Sequence, residues 1–250
     1  MTTLDTSKIS LQLYTVREAL AADLDGTLAR LAATGFTLVE PFGLAEGAAE
    51  LAPALRAHGL AAPSAHAGIV GRDLDAVLAA AATTGTTLVV EPHVDRARWT
   101  TVEDVAAIAA ELNAAAERAA DAGVTLGYHN HEFELATTIA GRPALEVFAD
   151  HLADGVALEV DTYWAVVGGV PVPDLLARLG PRVRAVHLKD GDGTRDTSRQ
   201  VAWGTGDLDV TAILAAADGV DLAVLELDDT TGDMLTAVED SFANLTKALA

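Results

Sequence analysis

Four short apolar segments in the second half of the chain each end on a side chain able to hold a metal ion. Val124-Thr125-Leu126-Gly127-Tyr128 runs into His129, and Val156-Ala157-Leu158-Glu159-Val160 into Asp161. Val183-Arg184-Ala185-Val186 leads, by the same form, to His187, and Leu222-Ala223-Val224-Leu225 to Glu226. Consecutive strands with an imidazole or carboxylate at each carboxyl end can converge on one divalent cation. Such donors suit Mn, Zn, Co, Fe or Mg ions, and ligand softness alone does not choose among them. Strand residues two apart point the same way, so His129 shares a face with His131, Asp161 with Glu159, and His187 with Lys189. Singly, each has a plainer reading: a hydrogen-bonded structural histidine, a turn-capping Asp161, a Glu226 paired with a lysine. Their joint occurrence on four successive segments points to one metal centre, with Glu159 placed as an acceptor that orients a ligand.

The elements that must position these groups follow from hydrophobic pattern. Apolar runs lie near Ile9–Leu13, Leu38–Pro41, Ala61–His66, Thr87–Glu91, Thr125–His129, Val156–Asp161, Arg182–Leu188 and Leu222–Glu226. Their nearly continuous apolar character predicts strands buried on both faces. Between them lie Ala- and Leu-rich helical patterns, clearest at Asp23–Thr34, Val102–Ala122 and Met234–Leu249. Gly35, Gly59, Gly85 and Gly123 stand where helix C-caps are expected. Eight strand–helix units in 250 residues predict a single-domain α/β fold, a (β/α)8 TIM barrel spanning 1–250. A doubly wound open sheet is the alternative, but no Gly-rich phosphate loop follows the first strand. In a barrel the functional side chains sit at strand carboxyl ends. Here those ends carry Gln12, Glu40, His66, Glu91, His129, His131, Asp161, His187, Lys189 and Glu226.

Composition removes several classes of function. No uninterrupted apolar run reaches the roughly 18 residues of a membrane span. The segment Met1-Thr2-Thr3-Leu4-Asp5 lacks the basic and apolar parts of a signal peptide, so a cytoplasmic protein is expected. The absence of cysteine excludes disulfides and thiolate metal sites. With 37 acidic against 16 basic residues the net charge is −21. No Lys/Arg cluster offsets that charge, so nucleic acid is not an expected partner. The acidity reads as solubility, with adaptation to high salt as the minor alternative.

Several segments resemble the sugar phosphate isomerase/epimerase group of the xylose-isomerase-like TIM barrel superfamily, which also includes endonuclease IV. They are Leu11-Gln12-Leu13-Tyr14-Thr15-Val16-Arg17, Tyr128-His129-Asn130-His131-Glu132-Phe133-Glu134, Leu158-Glu159-Val160-Asp161-Thr162-Tyr163-Trp164 and Val186-His187-Leu188-Lys189-Asp190. Trp203-Gly204-Thr205-Gly206-Asp207-Leu208-Asp209 is similar to the family's glycine turn after strand seven. The resemblance implies one divalent metal held by the ends of strands five to eight, and Asp161, His187 and Glu226 match directly. At strand five, members that transfer a proton at one carbon carry a glutamate, opposite the one on strand eight. Other members read Glu-Asn-His where this chain reads His129-Asn130-His131. On that match His129 keeps a ligand but removes a carboxylate base, leaving His131 or Glu132 to replace it.

The chemistry so implied is metal-dependent isomerisation or epimerisation of a sugar or keto-sugar through an enediolate. Glu226 or His131 would take the proton beside the carbonyl. Gln12, His66 and Glu91 are candidates for binding sugar hydroxyls, although His66 and Glu91 can equally pair with each other. Trp164 could cover a sugar's apolar face or pack in the core. Lys189 could support a developing oxyanion or form a salt bridge to Asp190 or Glu226. Loss of a β-substituent from the same intermediate would make the protein a lyase, a keto-inositol dehydratase or 3-keto-glycoside eliminase. Two other classes are a non-catalytic sugar-binding subunit and an endonuclease IV-like nuclease. The latter needs three metals and further His and Glu ligands, whereas two of the seven histidines here, His58 and His151, fall in helical patterns. Substrate identity, phosphorylation and oligomeric state, including a homo-oligomer, stay open at this level.

Overall fold

The computed structural model describes residues 4–250, so residues 1–3 of the N-terminal segment used above for localisation lie outside the described residues. Its centre is a ring of eight parallel strands, labelled in chain order: β1 (Ile9–Gln12), β2 (Leu38–Glu40), β3 (Ser64–His66), β4 (Leu88–Glu91), β5 (Thr125–His129), β6 (Ala157–Asp161), β7 (Val183–Leu188) and β8 (Leu222–Leu225). Each expected run contains one of them. Most neighbours pair by regular parallel ladders, and β1 also pairs with β8. Only between β2 and β3 is the join narrow. There an isolated parallel bridge links Leu38 to Ala61, and the His66 N–H donates to Pro41 O at 2.7 Å.

Helices surround the ring. The expected Asp23–Thr34 segment is a helix over Leu24–Thr34, with Asp23 as its N-cap. Helix Val102–Asp121 starts at a capping box in which Thr101 and Asp104 satisfy each other's backbone N–H groups. Gly35, with φ of +117°, ends the first of these helices, and an added Cβ there would stand 2.9 Å from Phe242. An antiparallel hairpin, Thr138–Ile139 with Arg142–Pro143, lies outside the ring and was not expected. Its turn places both Ala140 and Gly141 at positive φ. Ala-Gly is not one of the sequence pairs that usually signal such a turn.

Alternation along the strands decides what reaches the interior of the ring. Ala185, Leu222 and Val224 form a small apolar floor against Leu38 and Leu88, separate from the larger core between ring and helices. Two-residue steps from these positions arrive at Glu40, His187, Lys189 and Glu226. One register shift matters. Pairing of β6 with β7 slips by one residue at Leu158/Glu159, so that Asp161 stands beside His187. Without it Asp161 would face Val186, which belongs to the outer core. No helix among the described residues is long and apolar enough to cross a membrane.

Candidate metal and active site

His129, Asp161, His187 and Glu226 meet within the ring: one donor atom from each lies within 4.8 Å of the other three. Their neighbours fix them. Thr162 donates its hydroxyl hydrogen to the His187 carbonyl at 2.8 Å. Asn130 stitches β5 to β6, its Oδ1 accepting the Asp161 N–H at 3.1 Å. Glu134 accepts from the Tyr128 hydroxyl at 2.8 Å and the His131 N–H at 2.9 Å, fixing the turn that carries His131.

The two histidines use their nitrogens in opposite directions. His187 Nδ1 lies 2.6 Å from Glu226 and its Nε2 3.0 Å from Glu159. His129 turns Nδ1 to Glu159 at 3.1 Å and Nε2 towards Asp161 Oδ2 at 3.8 Å. Glu159 thus sits behind both, and the same oxygen is 2.6 Å from His66 Nε2. His66, His129, Glu159 and His187 form a second group with metal-ligand spacing. Yet the nitrogens that face it are the ones turned away from Asp161 and Glu226. A neutral imidazole offers one lone pair, so the two groups compete for the same rings.

Buried electrostatics follow from this crowding. Burial, followed by the charge on His187, holds His129 down at about 3. Burial would also lower His187, but Glu159, Glu226 and Glu40 outweigh it and raise the imidazole well above its ordinary value. Burial pushes Asp161 up to about 6 despite Lys189 and His187. For Glu226 burial acts upward, but Lys189 and His187 overcome it and keep the carboxylate well below its usual range. Lys189 Nζ stands 3.0 Å from Asp161, 2.9 Å from Glu226 and 2.8 Å from Asp228.

The donor set fits a divalent ion. Two imidazoles and two carboxylates from four different strands match the chemistry of first-row metals. Asp161 Oδ2 is buried and accepts no well-directed hydrogen bond, although Lys189 is near it. A buried carboxylate oxygen left this way is costly unless a cation completes it.

A cavity of about 740 Å³ opens above the cluster, lined by His66, His129, His131, Lys189 and Glu226 among others. His131 is half-buried, its Nδ1 shielded from solvent and unpartnered, and desolvation, then His129, holds it down to about 2. The other residues proposed from sequence lie elsewhere. Gln12 is fully buried, with its amide on Glu40 and its oxygen accepting the Tyr14 N–H. Glu91 falls off the inward parity of Leu88 and Val90, and accepts the N–H groups of Ile69 and Val70 at 2.6 and 2.8 Å. It does not pair with His66. Trp164 donates its backbone N–H to Asp161, and Lys189 Nζ stands 5.5 Å from its ring. Glu132, the alternative base, is held by Arg96 at 2.7 Å. His58 pairs with Asp25, and His151 ends a helix; neither joins the cluster.

Sequence reading missed several residues here. His93 lines the cavity with its ring centroid 5.6 Å from that of His131. Asp228, Tyr14 and Phe42 line it too. All four lie past strand ends, where period-two counting stops. Glu40, noted as a strand-end group, proves to be the partner of His187 Nε2 at 2.8 Å.

The profile of the xylose isomerase-like TIM barrel family matches residues 28–246 of the chain. No protein of curated function matches it. A sugar phosphate isomerase/epimerase from Parabacteroides distasonis ATCC 8503 superposes with a TM-score of 0.84 at 24% identity, covering 100% of this chain and 96% of that one. The IolI protein with a bound zinc atom gives 0.74 at 16% identity over 97% and 98% of the two chains. The apo form of 3-keto-D-glucoside 4-epimerase, YcjR, of E. coli gives 0.72 at 19% identity over 96% and 99%.

Proposed function

Because the chain belongs to the xylose isomerase-like TIM barrel family, we propose that it is a metal-dependent isomerase or epimerase of a sugar or keto-sugar. The observation that carries this reading is the convergence of His129, Asp161, His187 and Glu226 beneath the cavity that His131 enters. The zinc of the IolI protein and the sugar chemistry of the epimerase relatives support it. A divalent ion held by these four residues would act as a Lewis acid towards a substrate carbonyl.

The remaining chemistry belongs to side chains. His131, which lines the cavity, would accept the proton next to the carbonyl. Return of that proton to the neighbouring carbon gives isomerisation, and return to the opposite face gives epimerisation. Glu226 stays ionised between Lys189 and His187, so its role is to bind and to balance charge as much as to take a proton. Lys189 brings a buried ammonium to the place where oxygen charge would develop. Asp161 and Glu226 keep it oriented.

The test is deuterium incorporation from D2O into aldoses, ketoses, their phosphates, keto-inositols and 3-keto-glycosides by protein reconstituted with Mn, Zn, Co, Fe or Mg. Exchange into at least one carbonyl substrate is expected, and its absence across all of them would reject the reading. His131→Ala should slow exchange by about 100-fold or more while leaving metal affinity nearly intact. Glu226→Gln should weaken metal binding and exchange together. Full activity in His131→Ala would move the base to another residue.

A further inference from the structure

The walls of the cavity restrict which sugar it can take, an inference that rests on the reading just given. Barrels of this type commonly hold a substrate phosphate with the loops after strands seven and eight. Here the chain from the end of β8 reads Glu226-Leu227-Asp228-Asp229-Thr230-Thr231-Gly232-Asp233, four carboxylates without a Lys or Arg. After β7 the cations are already engaged. Lys189 lies within 3.0 Å of Asp161, Glu226 and Asp228, Arg195 faces Glu132 and Arg199 faces Asp196. The corner that would receive a phosphate therefore presents like charge to it. Arg72 is the other lining cation, set against the lining carboxylates Glu46, Asp73, Glu226 and Asp228. One guanidinium among four carboxylates is a poor phosphate clamp, but its N–H donors suit sugar hydroxyls.

The rim differs in character. Tyr14 and Phe42 are 40% and 41% exposed, two of the four large hydrophobic residues that stand out into solvent among the described residues. Their rings meet edge-to-face with centroids 5.4 Å apart, and Arg17 covers the Tyr14 ring at 4.2 Å. A fixed aromatic pair at the mouth of a polar cavity offers a face to the C–H surface of a sugar ring. The cavity, about 740 Å³, falls within the roughly 300–1,000 Å³ of sites for drug-sized ligands, more than one sugar ring fills.

We propose that this site takes an uncharged glycoside rather than a sugar phosphate. The reacting ring lies at His131, Lys189 and Glu226, and a second sugar ring rests on the Tyr14–Phe42 pair. The test is binding, which needs no turnover. Metal-loaded protein is titrated calorimetrically and by saturation-transfer NMR with glucose and fructose, their 6-phosphates, and the disaccharides cellobiose, maltose and sucrose. A disaccharide should bind tightest, and each 6-phosphate more weakly than its parent sugar. Tyr14→Ala and Phe42→Ala, both surface changes whose melting temperature is checked, should each weaken the disaccharide about tenfold without changing monosaccharide affinity. A 6-phosphate that binds more tightly than its parent overturns the charge argument. Failure of every disaccharide to bind at tens of millimolar, or indifference to both variants, overturns the second-ring site. The expected binding pattern without deuterium exchange in any substrate would reject the isomerase/epimerase reading and leave the glycoside site standing. Exchange confined to sugar phosphates would do the reverse.

Discussion

At the scale of single residues, Glu159 is the side chain on which most of the site leans. One of its oxygens lies 2.6 Å from His66, 3.0 Å from His187 and 3.1 Å from His129. It thereby selects which nitrogen of each ligand ring is left free for Asp161 and Glu226 to share with a cation. Glu159→Gln should weaken metal affinity by about 10- to 100-fold, read by chelator competition, with altered His129 and His187 15N shifts. A variant that only melts earlier, with affinity and shifts unchanged, would make Glu159 a structural group. Protons give a second expectation. His129, held at about 3, is neutral at any working pH, whereas carboxylates keep His187 protonated well above the usual imidazole range. A cation must displace that proton, so affinity should rise about tenfold per pH unit through neutrality. Below the value of about 6 to which burial lifts Asp161, a second proton steepens the slope. Affinity that is flat between pH 5 and 8 would contradict this.

At the scale of elements, the strand ends were legible because burial on both faces leaves a run of apolar residues that only a parallel sheet explains. His129, Asp161, His187 and Glu226 were visible for the same reason: each breaks such a run at its carboxyl end. Glu91 shows the limit. It also ends a run, but one residue off the inward parity, and sequence does not reveal a strand's parity until one inward residue is known. The slip at Leu158/Glu159 that aligns Asp161 with His187 leaves no mark in composition. Nor do loop residues such as His93 and Phe42, whose place depends on how turns fold over the rim. Asn130 ties these elements together, its side chain bridging the ends of β5 and β6. Asn130→Ala leaves the buried Asp161 N–H without an acceptor. It should cost about 1–3 kcal/mol of stability in urea titration and lower metal affinity as well. Unchanged values for both would show that water takes over the bridge.

At the scale of the whole molecule, a charge of −21 on 250 residues makes the folded chain repel itself. Added salt screens that repulsion over a Debye length of about 10 Å at 0.1 M. The urea midpoint should therefore rise between low salt and 0.5 M NaCl, and a fall would mean that the surface ion pairs outweigh the net repulsion. The barrel that carries this charge is not equally strong around its circumference. The arc from β5 to β8, which holds His129, Asp161, His187 and Glu226, is laddered throughout, while β2 and β3 meet mainly through the bridge from Leu38 to Ala61. Phe42 and Arg72 lie just beyond those two strands. The ring is thus built like a bracelet with its clasp on the side of the guest and its setting on the far side. Breathing at the clasp would reshape the mouth while the donors keep their spacing. Descendants of this chain could exchange the segments beyond the clasp, and with them their preferred guest, without rebuilding the chemistry.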